Sequence, residues 1–175
     1  MPDCSAPLNI TERHTNVPRS FRWCWSKTNR ISPAGEGRVE FIARKNMEYI
    51  PTIDFKTPRG YLKISTPAAT AFDLVGYPHH AAGLDSVATI LAELAEHIDG
   101  KDLIGIAEFS PVAWTQRLGY LLDLVGETKK TDDLADYIDR KNPVPTPLVP
   151  SQSFGGINQL KRWRILVNAN VEAEA

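Results

Sequence analysis

Cysteine, histidine and long apolar runs are all scarce in this chain. Two cysteines, Cys4 and Cys24, among 175 residues are too few for a disulfide framework. Neither they nor the four histidines fall at the spacing of a zinc site, so no metal is expected. Every apolar run is broken by Asp, Gly or Arg before it reaches the roughly 20 residues that cross a bilayer, so no membrane span is expected. The start, MPDCSAPLNITERHTNV, has no basic segment followed by an apolar stretch and does not read as a signal peptide. Together these absences point to a reducing, cytoplasmic setting.

Catalytic signatures are missing as well. No G-x-S-x-G, G-x-x-x-x-G-K or G-x-G-x-x-G occurs, and SFGG has neither the strand nor the helix that a phosphate loop needs. His79 and His80 are neighbours whose side chains are expected to diverge. His97 with Glu93 reads as solvated helix surface, and His14 lies in a tail without periodicity. Glu40 and Lys45 sit on a strand pattern but lack the acidic partner and spacing of a nuclease metal site. Cys24 has no nearby base to activate it. A binding role without chemistry or cofactor is therefore expected.

What is present suffices for one packed core: 42% of residues are hydrophobic and 23% charged. The net charge of −1 hides a division. Residues 1–64 carry eleven Lys and Arg against six acids, residues 65–142 carry six against thirteen, and residues 143–175 three against two. A polyanion or an acidic partner would be drawn to one part only.

The basic part alternates. In FRWCWS, Phe21, Trp23 and Trp25 interleave with Arg22, Cys24 and Ser26; in RVEFIARK, Val39, Phe41 and Ala43 interleave with Arg38, Glu40 and Arg44. YLKIS places Leu62 and Ile64 around Lys63. Short antiparallel strands with one wet face follow, joined at SPAGEG and TPRG.

From Ser65 the pattern turns helical. Ser65 or Thr66, then Pro67, suit a helix start, and Gly76 a left-handed close. Leu84, Val87, Leu91, Leu94 and Ile98 form one apolar stripe. Further helices are expected over KDLIGIAEF, over the stretch from Ser110 to Gly126, and over DDLADYIDRK with Leu134 and Ile138 inward. The echo of FDLVGY in LDLVGE reads as two helix ends rather than a repeat. Asp73 and Asp123 stand near those ends, where the helix dipole disfavours an anion, so each calls for a partner. Asp73 is a candidate ion-pair partner for Arg117, whose stem lies on apolar surface; the alternative is that Arg117 reaches solvent. Gly119, mid-helix, implies the close approach of another backbone. KNPVPTPLVPSQSFGG reads as an extended strap across the domain, and RWRILVNANV as a strand returning to the first sheet.

The segments GRVEFIARKN, IPTIDFKTPRGYLKISTPAATAFDLVGYPHHAAGLDSVATILAELAE, WTQRLGYLLDLVG and RWRILVN, in that order, resemble the C-terminal domain of AbiEi-family antitoxins over about residues 17–172. The resemblance implies a non-enzymatic antitoxin of a type IV, abortive-infection toxin–antitoxin system. Its functional partner would be a nucleotidyltransferase-type toxin, opposed without a stable complex. Family members usually carry an N-terminal winged helix-turn-helix that represses their own promoter. Here residues 1–16 are too few for one and are expected to be a disordered tail, leaving 17–175 as a single domain.

The expected fold is α+β: an antiparallel sheet from the N-terminal strands plus a C-terminal strand, packed against a layer of about five helices. Arg22, Arg38, Arg44, Lys63, Arg162 and Arg164 would then line the wet face. They are candidates for contact with DNA or tRNA phosphates, or with a partner, against the alternative that they only keep the sheet soluble.

Overall fold

The computed structural model describes the backbone of residues 8–9, 20–24, 31–34 and 37–41, and residues 42–173 in full except 154, 156 and 158. The fold is α+β, with five α-helices among the described residues. From sequence, residues 17–175 read as one domain; by contact the chain divides into two compact units, Met1–Thr66 and Pro67–Ala175.

The first unit is a six-stranded sheet. Its strands are β1 (Leu8–Asn9), β2 (Ser20–Cys24), β3 (Ile31–Ala34), β4 (Gly37–Ile42), β5 (Thr52–Thr57) and β6 (Gly60–Ser65), in the order β3-β4-β2-β1-β6-β5. The sheet is mixed where an antiparallel one was expected: β3–β4, β1–β2 and β5–β6 pair antiparallel, but β2–β4 and β1–β6 pair parallel. The physical reason is the hairpin of β3 and β4. Its second strand lies between β3 and β2 and so runs in the sense of β2. β1 falls within the stretch read from sequence as a disordered tail; the rest of residues 1–16 lies outside the described residues, as does Trp25.

β5 and β6 form a hairpin with a two-residue loop, Pro58-Arg59, between the paired Thr57 and Gly60. Thr57 Oγ1 donates to the Gly60 carbonyl at 2.9 Å and accepts from Arg59 N at 3.3 Å, which fixes the turn. Gly60 has φ 134°, a conformation that side chains with a Cβ resist.

The second unit begins with the helices α1 (Pro67–Gly76), α2 (Leu84–Ala95), α3 (Gly100–Ala107), α4 (Val112–Leu124) and α5 (Asp132–Lys141), all five where the periodicity placed them. Pro67 occupies the first position of α1, where its missing N–H costs nothing. Asp99 caps α3 by accepting from Lys101 N at 3.0 Å. The apolar stripes meet in one core of Phe72, Leu91, Leu103, Leu118, Leu134 and Ile138, all buried. Each such side chain contributes about 1.5–3 kcal/mol. Ile98, the last member of the α2 stripe, lies beyond the helix end yet is buried too.

The two Leu-Val-Gly echoes do different work. Gly126 takes the expected left-handed conformation at φ 91°, whereas Gly76 is the last helical residue of α1. A Cβ on Gly76 would stand 2.5 Å from the Trp114 ring, so room for that ring is what requires glycine there.

The C-terminal strand does not return to the first sheet. β7 (Thr146–Pro147), β8 (Gln159–Leu160) and β9 (Ile165–Leu166) make a separate three-stranded sheet ordered β7-β9-β8. β9 is only two residues long, and both its edges are taken by these local partners. Alternation foretold the burial correctly, since Trp163 and Ile165 are fully buried; it carried no information on the pairing partner.

Candidate interaction surface

The polar chemistry of the second unit converges on Asp123, in the last turn of α4. Trp163 Nε1 donates to its Oδ2 at 2.7 Å, Thr131 Oγ1 donates to its Oδ1 at 2.6 Å, and Arg162 Nε stands 3.0 Å from Oδ2. Arg162 also donates to Asp132 at 2.8 Å and to Thr131 Oγ1 at 3.2 Å. Its pKa is held above the ordinary arginine value, first by the hydrogen bond to Asp132, with the Asp123 charge adding to it. The anion at a helix C-terminus thus has the partners that its position demanded. They are a tryptophan, a threonine and an arginine from outside α4.

The strap lies along the same helix. Gln116, buried, donates from Nε2 to the carbonyls of Val144 and Arg164 at 3.2 and 3.0 Å. Arg117 donates from Nε and a terminal nitrogen to the Pro147 carbonyl at 3.2 and 3.1 Å. From sequence, Arg117 either pairs with Asp73 or reaches solvent; in the structure it donates to the strap carbonyl, and Asp73 is buried on α1. Burial lowers the Arg117 pKa, yet a guanidinium keeps its charge. What approaches Gly119 is a side chain and not the expected backbone: a Cβ there would lie 2.1 Å from the Trp163 indole ring.

The six cations expected on one wet face are divided. By register, positions 22 and 38 fall on the same side of the first sheet as Lys63, because Ile64 aligns with Leu8, Leu8 with Trp23, and Ser20 with Arg38. The side chains of Arg22, Arg38 and Glu40 lie outside the described residues. Arg44 follows the end of β4 and is 6% exposed, so it is no part of a wet face. Arg162 and Arg164 belong to the second unit; Arg162 is matched by two carboxylates, and Arg164 has φ 51° in the turn before β9.

Around Lys63 the hairpin offers more than the sequence reading singled out. Lys56 pairs with Tyr61 and Asp54 with Lys63, so these four share one side of β5–β6. Tyr61 is 75% exposed, and Arg59 tops the turn. Lys63 forms an ion pair with Asp54 at 3.3 Å, leaving Lys56 and Arg59 in excess. The signal that marks this site in the sequence is two lysines and one tyrosine, Lys56, Lys63 and Tyr61, flanking a Pro-Arg-Gly turn. On the second unit, His79 and His80 do not diverge: their ring centroids lie 4.0 Å apart in a 3-10 turn, the planes tilted by 44°. Among the described residues no group of His, Cys, Asp or Glu is arranged to hold a metal, and no helix is long and apolar enough to cross a membrane.

Comparison with known proteins agrees with this architecture. The solved RV2827C protein from Mycobacterium tuberculosis superposes with a TM-score of 0.52 at 16% identity, over 83% of this chain and 54% of that one. The likeness is one of fold, and this chain spans about half the length of that protein. None of the curated proteins compared with the chain matches it. The family model for the AbiEi antitoxin C-terminal domain matches residues 12–124, from before β2 through the last residue of α4. That match takes in β2–β6 of the first sheet and the α1–α4 core, while β1, α5, the strap and the second sheet fall outside it. The chain belongs to the AbiEi antitoxin C-terminal domain family.

Proposed function

We propose that this chain is the antitoxin of a type IV toxin–antitoxin system, opposing a nucleotidyltransferase-type toxin in the bacterial cytoplasm during abortive infection by phage. The observation that carries the reading is the family match over residues 12–124. On this reading the chain performs no chemistry of its own. Its surface does the work, whether or not it holds the toxin in a stable complex. Growth of cells expressing the toxin of the same operon tests it: co-expression of this chain restores growth, and persistent arrest with the chain soluble and abundant refutes the role.

A second reading is favoured by one observation, the exposed Tyr61 between Lys56 and Lys63 on the first sheet. The chain would contact nucleic acid there, DNA or tRNA, by phosphate neutralisation with a base stacked on the tyrosine. A part in transcriptional autoregulation would use the same face. Fluorescence anisotropy against salt distinguishes the cases. Binding that weakens steeply with salt and on Lys56→Ala with Tyr61→Ala supports contact, and salt-indifferent binding excludes it.

A further inference from the structure

The open edge of β5 is built to pair with itself. Among the described residues β5 is the last strand of its sheet, with β6 on one side and no strand on the other. The two-residue loop makes Thr57 and Gly60 a hydrogen-bonded pair. Phe55–Leu62 and Ile53–Ile64 are then hydrogen-bonded as well, because such pairs alternate along an antiparallel ladder. The N–H and C=O groups of Thr52, Asp54 and Lys56 therefore point away from β6. The strand TIDFKT has no proline, glycine or bulge to blunt this edge. Beside it Ile53 and Phe55 are 48% and 44% exposed, unusual for the apolar side of a sheet.

From these observations we infer that two copies of this chain associate through antiparallel pairing of β5 with β5, about a two-fold axis at Phe55. Geometry restricts the choice of axis. Outward-pointing residues pair only with outward-pointing ones, so the axis passes through a residue and not between two. An axis at Asp54 sets Asp54 against its own copy, and one at Lys56 sets two lysines together. An axis at Ile53 leaves only three residues a side facing one another. At Phe55, Asp54 faces Lys56 of the second copy twice over, Phe55 faces Phe55, and Ile53 faces Thr57. Opposite charges and aromatic pairs directly across an antiparallel ladder are stabilising, and like charges are not. The Lys63–Asp54 ion pair at 3.3 Å extends this into Lys63, Asp54 and the second copy's Lys56 in a row. A charge pattern that guarded the edge would repel its own copy; this one attracts it. The contact is small, which suits a concentration-dependent dimer rather than an obligate one.

Sedimentation equilibrium over a concentration series measures the association, with no toxin or nucleic acid present, so its outcome is independent of the antitoxin reading. Lys56→Asp sets two pairs of like charges across the axis and is expected to weaken dimerisation about thirtyfold. Reversing all three signs together, with Asp54→Lys, Lys56→Asp and Lys63→Asp, restores every opposite pairing within and between copies and is expected to return the dimer. Circular dichroism confirms that each variant is folded. Amide hydrogen exchange at Thr52, Asp54 and Lys56 should slow as wild-type concentration rises and stay fast in Lys56→Asp. A wild-type mass that remains monomeric throughout, or a Lys56→Asp variant that dimerises as well as wild type, overturns the inference.

Discussion

Replacing Gly119 by alanine isolates the contact that joins the C-terminal segment to α4. An alanine Cβ at this position would sit 2.1, 2.3 and 2.4 Å from three atoms of the Trp163 ring, where ordinary contact begins near 3.4 Å. The ring must retreat by about 1 Å. It is fully buried, and its Nε1 is held 2.7 Å from Asp123, so retreat breaks that bond as well as the packing. Overpacking of this kind costs about 1–3 kcal/mol. Losing a hydrogen bond to a charged group costs about 1.5–3 kcal/mol more. Removing a mid-helix glycine returns about 1 kcal/mol. The net loss is about 1.5–5 kcal/mol, or roughly 6–25 °C in Tm for a unit of this size. Gly105→Ala is the matched control, since a Cβ on that helical glycine meets nothing within 4 Å. It should gain about 1 kcal/mol. Thermal and urea denaturation followed by circular dichroism and tryptophan fluorescence compare the two. A Gly119→Ala protein as stable as wild type would show that Trp163 does not lie against this helix.

Other expectations follow from the same contacts. Asp123→Asn disturbs bonds from three donors and should lower stability by about 2–3 kcal/mol, whereas Asp132→Asn, at an exposed ion pair, should cost under about 1 kcal/mol; urea midpoints separate them. Gln116→Leu leaves the Val144 and Arg164 carbonyls without this donor and should speed amide exchange in the strap, read residue by residue at Thr146 and Leu148. Burial raises the pKa of Tyr137, with Glu108 adding to it, and burial raises that of Tyr120. A raised folded-state pKa gives stability that is complete below the unfolded value near 10 and is lost as pH climbs through the folded one. Stability should therefore fall above about pH 10, and Tyr137→Phe with Tyr120→Phe should flatten that fall in alkaline urea titrations.

The sequence disclosed local order better than long-range partners. Period-two alternation located β2, β4 and β6, and the apolar stripes located all five helices, because both signals reflect burial over a few neighbouring residues. Pairing is not encoded that way. Ile165 belongs inside whichever sheet receives it, so nothing local separates a return to the first sheet from a second sheet with β7 and β8. The same limit applies to Arg117, whose need for an acceptor was readable but whose acceptor is a backbone carbonyl thirty residues on. Asp123 and Gly119 were each anomalous in their helix, an anion at the negative end and a glycine mid-turn. Both anomalies resolve on one residue, Trp163, whose indole covers the glycine and whose N–H binds the carboxylate. On the candidate surface, the basic alternation found Lys63 and, by register, positions 22 and 38, but a run of alternating residues does not reveal where a strand ends. Arg44 keeps the alternation yet lies past the end of β4 and is buried.

Growth rescue decides whether this chain works as an antitoxin. Cells carrying the toxin of the same operon under one inducible promoter and residues 1–175 under another should resume growth when both are induced. They should do so equally with the Glu40→Gln, His79→Ala and His80→Ala variants, since no chemistry is asked of these groups. Arrest that continues beside abundant folded chain, or rescue that vanishes with any of those three substitutions while the protein stays folded, would contradict a role performed by the surface alone.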